Sequence, residues 1–230
     1  MPAPDRLGPA LEALHAAADA DFRDSLGPRY GIVAPTALGV PMAALKAIAR
    51  TLGRDHALAQ ALWETGIYEA RLLASLVGDP AQVTPELMDS WRAEFDNWGV
   101  CDTLCFNLFD KAAGAPAMVA PWIALNAEFG RRAGLALLAC LALHDRRLED
   151  DWFREQLAVA QTAASDSRHL VKKGVSWALR SVAHRNAALL GEVMATAGHL
   201  AASDDRTARW IAADVLRDIR RPNVLRKIGL

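Results

Sequence analysis

The chain has 230 residues, enough for one sizeable hydrophobic core, and a single domain over residues 1–230 is the expected organisation. Its composition is 52% hydrophobic but only 7% aromatic, with alanine and leucine dominant, which favours helices over strands. No apolar run approaches the ~20 residues of a membrane-spanning helix, and Met1 to Arg6 lack the pattern of an export signal, so a cytoplasmic protein is expected.

The net charge of −1 argues against a uniformly basic nucleic-acid-binding domain, but it averages two unlike parts of the chain. Residues 1–130 carry 9 Lys+Arg and 16 Asp+Glu, whereas residues 131–230 carry 17 and 11. The second part therefore has a positive balance, and it is the part suited to contacts with phosphates.

Apolar residues recur at helical spacing in roughly a dozen segments, and no strand pattern competes with them. The breaks in chain order are Gly27-Pro28, Gly53-Arg54-Asp55, Gly78-Asp79-Pro80, Gly114-Ala115-Pro116 and Ser203-Asp204-Asp205. Helices joined by such short connections pack as antiparallel neighbours. The helices fall into successive pairs of roughly 35–45 residues, which predicts an all-α fold: an α-solenoid of about six antiparallel HEAT-like helix pairs. Such a solenoid has a concave face suited to a duplex. An irregular helical bundle is the alternative.

The segment around Asp96-Asn97-Trp98 predicts a helix that begins near Asn97, with Asp96 or Asn97 as its cap. Trp98 and Asp102 are then one turn apart on one face, beside an apolar stripe of Cys101, Leu104 and Leu108. The functional interpretation is a carboxylate presented next to an indole. The structural alternative is an indole that closes the edge of the core and an aspartate that pairs with an arginine.

The segment from His169 to His184 separates into two stripes on the 3.6-residue period. Val171, Val175, Ala178 and Val182 form the apolar stripe, and Lys173, Trp177, Arg180 and His184 form the other. An indole flanked by cations suits a face that binds phosphate and sugar. A helix buried on both sides, with charged tips reaching outward, is the alternative.

The sequence lacks complete motifs for metal binding, for phosphate-binding loops and for metalloproteases. Cys101 and Cys105 have the spacing of paired metal ligands, but no further Cys or His cluster completes a zinc site, so two core residues are expected. Phosphate-binding glycine loops and an HExxH helix are also missing, and no metal or other cofactor is predicted. Arg131-Arg132, before the apolar segment 133–143, has the pattern of a solvated helix end.

Taken together and in order, these segments resemble the DNA alkylation repair glycosylases of the AlkD type, which are HEAT-like repeat proteins. The resemblance covers about residues 29 to 185. The stretches that carry it are Tyr30-Gly31-Ile32-Val33 with Pro41 and residues 45–49, Ala61-Leu62-Trp63 with Tyr68-Glu69-Ala70-Arg71, Asp96-Asn97-Trp98 with Asp102, Arg131-Arg132-Ala133, and Val171 to Arg180. The last is the most specific, although Gly174 and Ser176 depart from the commoner residues of that helix.

The resemblance implies excision of cationic N3- and N7-alkylated purines from duplex DNA, as the first step of base excision repair and without flipping the base into a pocket. It makes Asp102 the catalytic carboxylate, and Trp98 and Trp177 the aromatic walls against the deoxyribose. The residues expected to contact DNA are Arg131, Arg132, Lys172, Lys173, Arg180 and His184. The protein is expected to act as a monomer; the alternative function is a non-catalytic HEAT-like module that binds DNA or protein.

Overall fold

The computed structural model describes residues 6–229, and all of its regular structure over that range is helical. The α-helices are α1 (Leu7–Ala16), α2 (Ala20–Tyr30), α3 (Met42–Leu52), α4 (His56–Glu64), α5 (Tyr68–Val77), α6 (Pro85–Ala93), α7 (Trp98–Asn107), α8 (Ala115–Ile123), α9 (Glu128–His144), α10 (Asp150–Thr162), α11 (His169–Ala183), α12 (Ala187–Ala201), α13 (Arg206–Ile219) and α14 (Pro222–Lys227). Short 3-10 helices occupy Pro80–Gln82 and Phe109–Lys111. The prediction of an all-α fold is confirmed.

The predicted break at Gly27-Pro28 is wrong, because α2 continues through Pro28 to Tyr30. Pro28 lies in the last turn of the helix, so the one backbone hydrogen bond that it removes is near the helix end. The helix ends instead at Gly31, whose φ of 65° is the left-handed conformation that glycine adopts without strain. The amide of Gly31 still donates to the Gly27 carbonyl at 2.8 Å, so the last turn is closed around the proline.

The described chain divides into two compact units. The first comprises the residues up to Val83 together with Asp96–Ala112, and the second comprises Thr84–Phe95 together with the residues from Ala113 onward. In the first unit, α3 packs on α5, α5 packs on α7, and α4 pairs with α5. The expectation of a single domain over the whole chain stays a prediction.

The second unit has the packing pattern of stacked helix pairs. Helices α9, α11 and α13 pack in succession, and so do α8, α10 and α12. Consecutive helices pair between these two rows, as α8 with α9, α10 with α11, and α12 with α13. Contacts between neighbouring pairs only are what defines a solenoid, in which each repeat buries its apolar face against the next.

Helix α9 is the longest of the described helices and is largely buried, and glycines set its distance from its neighbours. A Cβ at Gly134 would lie 2.6 Å from the backbone nitrogen of Ile123 on α8. A Cβ at Gly174 of α11 would lie 3.2 Å from the side chain of Leu135 on α9. Gly174, a departure from the pattern of the resembling family, therefore allows α11 to approach α9 closely.

In the first unit, the buried carboxylate of Glu69 organises the connection between α2 and α3. The side chain is fully buried and accepts hydrogen bonds from three successive amides, those of Leu38 at 2.8 Å, Gly39 at 2.7 Å and Val40 at 3.2 Å. The positive φ of Gly39, 87°, lets the backbone curl around the carboxylate. The acidic residue of the Tyr68-Glu69-Ala70-Arg71 motif thus holds a loop in place.

Replacing Glu69 with alanine should lower the free energy of unfolding by about 2–4 kcal/mol, because three amides lose a charged acceptor. Urea unfolding followed by circular dichroism measures the change. Glu64→Ala, at an exposed position of α4, is the matched control and should change the free energy by less than about 0.5 kcal/mol. Equal effects of the two substitutions would contradict this role.

Candidate nucleic-acid interface

Helix α7 of the first unit carries the Trp98–Asp102 pair. It begins at Trp98 because the Asn97 side chain accepts a hydrogen bond from the Val100 amide at 2.9 Å, which confirms the predicted cap. Trp98 and Asp102 are both partly exposed, whereas Cys101 is fully buried, as are Leu104 and Leu108. The predicted separation into a core face and an accessible face is therefore confirmed, and the aspartate lies on the accessible face.

A hydrogen bond anchors the Trp98 indole. Its N–H donates to the Tyr30 carbonyl at 3.0 Å. An apolar pocket of about 270 Å³ lies beside it, lined in part by Met42 and Tyr68. The next residue, Gly99, is required by close packing, since a Cβ there would lie 2.5 Å from the Tyr68 hydroxyl. Trp98 is thus a held aromatic surface rather than a freely rotating one.

A basic groove in the first unit has no counterpart in the sequence-based predictions. Lys46, Arg50 and Arg54 are exposed along α3 and the following turn, and they border a groove of about 460 Å³. Arg54 lies 3.9 Å from Asp79, while Lys46 and Arg50 have no carboxylate partner among residues 6–229. The four-residue spacing of the three cations was the available signal, and the negative balance of residues 1–130 hid it.

In the second unit, the Arg131-Arg132 pair holds neighbouring segments together. Arg132 is only 7% exposed, and its guanidinium donates to the Leu170 carbonyl at 2.7 Å. Arg131 donates to the Ile123 carbonyl at 3.0 Å and to Asp166 at 2.7 Å. The interpretation of this pair as a solvated helix end is wrong, because long-range acceptors draw both side chains inward. Their contact with phosphates stays a prediction.

Asp166 is the centre of this arrangement. It accepts from Arg131 at 2.7 Å and from Nε of Arg168 at 2.9 Å, and Arg168 also donates to the Asn126 carbonyl at 2.7 Å. These arginines, Arg168 above all, lower the pKa of the Asp166 carboxyl to about 2 against the opposing effect of burial. The carboxylate therefore ties the connection before α9 to the connection before α11, where the candidate DNA-binding residues begin.

Helix α11 has the two faces that the sequence predicted. Val171, Val175, Ala178 and Val182 are fully buried, which confirms the apolar stripe. On the other stripe Lys173 is exposed, and Trp177, Arg180 and His184 are partly exposed. The indole and its neighbouring cations are therefore accessible at the surface of the second unit.

The C-terminal half of this stripe is already occupied by carboxylates of α13. Nε2 of His184 lies 2.9 Å from Asp218, and Arg180 lies 3.7 Å from the same side chain and 3.9 Å from Asp214. The hydroxyl of Ser176, the second departure from the family pattern, donates to Asp214 at 2.6 Å. Much of the positive charge of Arg180 is thus compensated within the protein, and His184 is already hydrogen-bonded to Asp218.

The N-terminal half of α11 keeps its positive charge. Lys172 lies against the ring of Trp210 on α13, with 4.7 Å from its ammonium nitrogen to the ring centroid, and Lys173 has no carboxylate partner among the described residues. The pKa of His169 is lowered, chiefly by burial and then by the charges of Lys173, Lys172 and Arg132. The charges of Lys173, Lys172 and Arg132 thus add to the effect of desolvation on His169. Trp210 was missed because nothing in the sequence distinguishes an exposed indole from a core one.

Three further features of the described residues complete the site description. No group of three or more His, Cys, Asp or Glu side chains between residues 6 and 229 is arranged to hold a metal ion. Over the same range, no helix combines the length and apolar character needed to cross a bilayer. All three cysteines are buried, and Cys101 and Cys105 lie in the core.

Comparisons with known proteins agree with this architecture. Residues 10–212 match the family model of the DNA alkylation repair enzyme. The chain is similar, with a TM-score of 0.76 and 19% identity over 92% of this chain and 94% of the other, to a structure from a new family of proteins related to the HEAT-like repeat DNA glycosylases with affinity for branched DNA structures. A designed armadillo repeat protein in complex with a (KR)4 peptide aligns with a TM-score of 0.41 and 12% identity over 97% of this chain and 87% of the other.

None of the curated proteins matches the chain in sequence. The first of the two structures shows the fold: the chain has the HEAT-like repeat fold, as predicted.

The ion pairs of Asp166 should make the free energy of unfolding depend on pH. Because its folded pKa of about 2 lies below the ordinary value of 3.8, the carboxylate contributes fully above pH 3.8, and its contribution is lost as the pH falls towards 2. Asp166→Asn should lower the free energy of unfolding at neutral pH by about 1–3 kcal/mol and flatten its decline in that acidic range.

Urea unfolding at a series of pH values measures both effects. Asp151→Asn is the matched control, since Asp151 is exposed and pairs with Arg154 at the surface. An Asp166 variant that is no less stable than this control would contradict the assignment.

Proposed function

The chain belongs to the DNA alkylation repair enzyme family, and from that premise we propose that it is a DNA glycosylase that excises cationic N3- and N7-alkylated purines from duplex DNA. The observation that supports the proposal best is the pair on α7. The Trp98 indole is held by the Tyr30 carbonyl, and the Asp102 carboxylate stands one turn away on the same accessible face.

Excision of a cationic purine needs few functional groups from the protein. An N-alkylated purine carries a positive charge, so it leaves as a neutral base without a general acid. What remains is positive charge developing on the deoxyribose, which a neighbouring carboxylate stabilises and for which it can orient the attacking water. An indole π-face favours the same charge. Asp102 supplies the carboxylate, and Trp98 and Trp177 supply the aromatic surfaces in this proposal.

Binding of the duplex is assigned first to the N-terminal part of α11. Lys172 and Lys173 are the cations of that helix without a carboxylate partner among residues 6–229, and Trp177 lies one turn beyond Lys173. Contacts of lysines with phosphates position a duplex and carry no sequence information, which suits an enzyme that must act in any sequence context. Arg131 and Arg132 support this face by anchoring the start of α11.

A second candidate function is binding of DNA without excision. The compensation of Arg180 and His184 by Asp214 and Asp218 favours it, because it leaves fewer cations available to grip a duplex around a lesion. The structurally similar protein comes from a family with affinity for branched DNA structures. Under this alternative the basic residues of α11 matter and Asp102 does not. Action as a monomer in the cytoplasm stays a prediction under both.

Asp102→Asn removes the negative charge while nearly preserving the shape of the side chain. The substitution should lower the single-turnover rate of release of 7-methylguanine and 3-methyladenine from alkylated duplex DNA by roughly a hundredfold or more, because the charge that forms on the sugar loses its partner. Affinity for unmodified duplex should stay unchanged. Chromatography of the released bases measures the rate.

The control for this experiment is Asp21→Asn, which removes an exposed carboxylate of α2 in the same unit. If Asp102→Asn and Asp21→Asn both release the bases as fast as the wild type, Asp102 takes no part in the chemistry. No release by any of the three proteins, together with intact duplex binding, would leave the non-catalytic function in place of the glycosylase.

Removing the two α11 lysines should change the salt dependence of duplex binding. In Lys172→Ala/Lys173→Ala, the slope of log Kd against log salt concentration for duplex binding should decrease by about 1.8, as expected when two phosphate contacts are lost. Titrations by fluorescence anisotropy at several salt concentrations measure the slope. Arg146→Ala, an exposed cation outside α11, should leave it unchanged. An unchanged slope in the double variant would exclude these lysines from the interface.

A further inference from the structure

Trp210 is an exposed indole on α13 of the second unit, and the proposed excision reaction does not use it. The side chain is 37% exposed, although tryptophan is one of the costliest side chains to leave in water. A single exposed apolar residue needs no explanation by itself. The surroundings of Trp210, however, are charged in a specific way.

One cation contacts this indole, and others lie nearby on α11 and α13. Lys172 of α11 lies 4.7 Å from the centre of the ring, within the range of a cation–π contact. Arg206 stands one turn before Trp210 on α13, is exposed, and has no carboxylate partner among the described residues, and Lys173 follows Lys172 on α11. The nearest acidic residue on the same helix, Asp214, is already bound to the Ser176 hydroxyl and paired with Arg217.

An aromatic ring flanked by unpaired cations is the arrangement that binds single-stranded nucleic acid, with a base stacked on the ring and the flanking phosphates on the cations. Bases inside a duplex already stack on both faces. A ring at a protein surface therefore accepts a base that is unpaired, as in a loop.

We propose that Trp210, with Lys172 against its ring, is a stacking platform for an unpaired DNA base, and that Lys173 and Arg206 contact the neighbouring phosphates. The proposal rests on the proposed function in taking DNA as the ligand, and it shares Lys172 and Lys173 with it. It goes beyond that function by naming a second element of recognition, which responds to unpaired bases and is separate from Trp98 and Trp177. A protein with this platform holds duplex DNA more tightly where strands are locally unpaired.

The test compares a hairpin that has a loop of unpaired thymines with a blunt duplex of the same stem. Affinities of the full chain are measured by fluorescence anisotropy for the wild type, Trp210→Ala and Trp210→Phe. Met194→Ala, which removes another exposed apolar side chain from α12, is the matched control. Thermal unfolding confirms that each variant is folded. Cross-linking of 5-bromouracil placed in the loop, followed by peptide mapping, gives an independent readout of contact with α13.

Trp210→Ala should weaken binding of the hairpin on the order of tenfold and leave binding of the blunt duplex unchanged, while Trp210→Phe keeps most of the affinity. Cross-links should map to the peptide that contains Trp210. Equal affinity of wild type and Trp210→Ala for the hairpin would overturn the proposal, as would an equal loss on both DNAs.

The two proposals fail in distinguishable ways. Hairpin binding that depends on Trp210, in a protein that releases no alkylpurine, supports the platform and removes the glycosylase. A wild-type protein that binds neither DNA overturns both proposals.

Discussion

The close approach of α9 to α8 and α11 is the constraint on which the second unit depends. Gly134 lets the backbone of α8 come within a distance that no side chain would permit, and Gly174 lets α11 pack tightly against the side chain of Leu135. With one face of α11 pressed onto α9, its opposite stripe is directed to the surface. The ion pairs of Asp166 then fix the start of α11 along its axis. Lys172, Lys173 and Trp177 owe their exposure to this packing rather than to their own preferences.

Charge compensation divides α11 into two parts with different capacities. Arg180 and His184 share the carboxylates of α13, so a phosphate would have to compete with Asp214 and Asp218 for them. The lysines of the first turns face no such competitor among residues 6–229. The overall charge of −1 is therefore a poor guide to the surface, because many cations and carboxylates cancel locally while a few cations do not.

Predictions from the sequence succeeded where short-range rules decide the outcome. The stripe from Val171 to Val182 follows from periodicity within one helix and was predicted, and the cap at Asn97 follows from local hydrogen bonding and is one of the two predicted. The role of Arg132 could not be, because its acceptor lies 38 residues away. The roles of Gly174 and Ser176 could not be predicted either, because their contacts, Leu135 and Asp214, lie on neighbouring helices. The resemblance predicted candidate site residues on α7 and α11, but it did not extend to Trp210.

A structure of the protein bound to a duplex that contains a non-hydrolysable analogue of an N3-alkylated 2′-deoxyadenosine tests the account most directly. The account predicts that the Asp102 carboxylate lies within hydrogen-bonding reach of the lesion's deoxyribose, directly or through one water, and that Lys172 or Lys173 contacts a phosphate. A lesion held away from α7, with Asp102 paired only to protein groups, would contradict it.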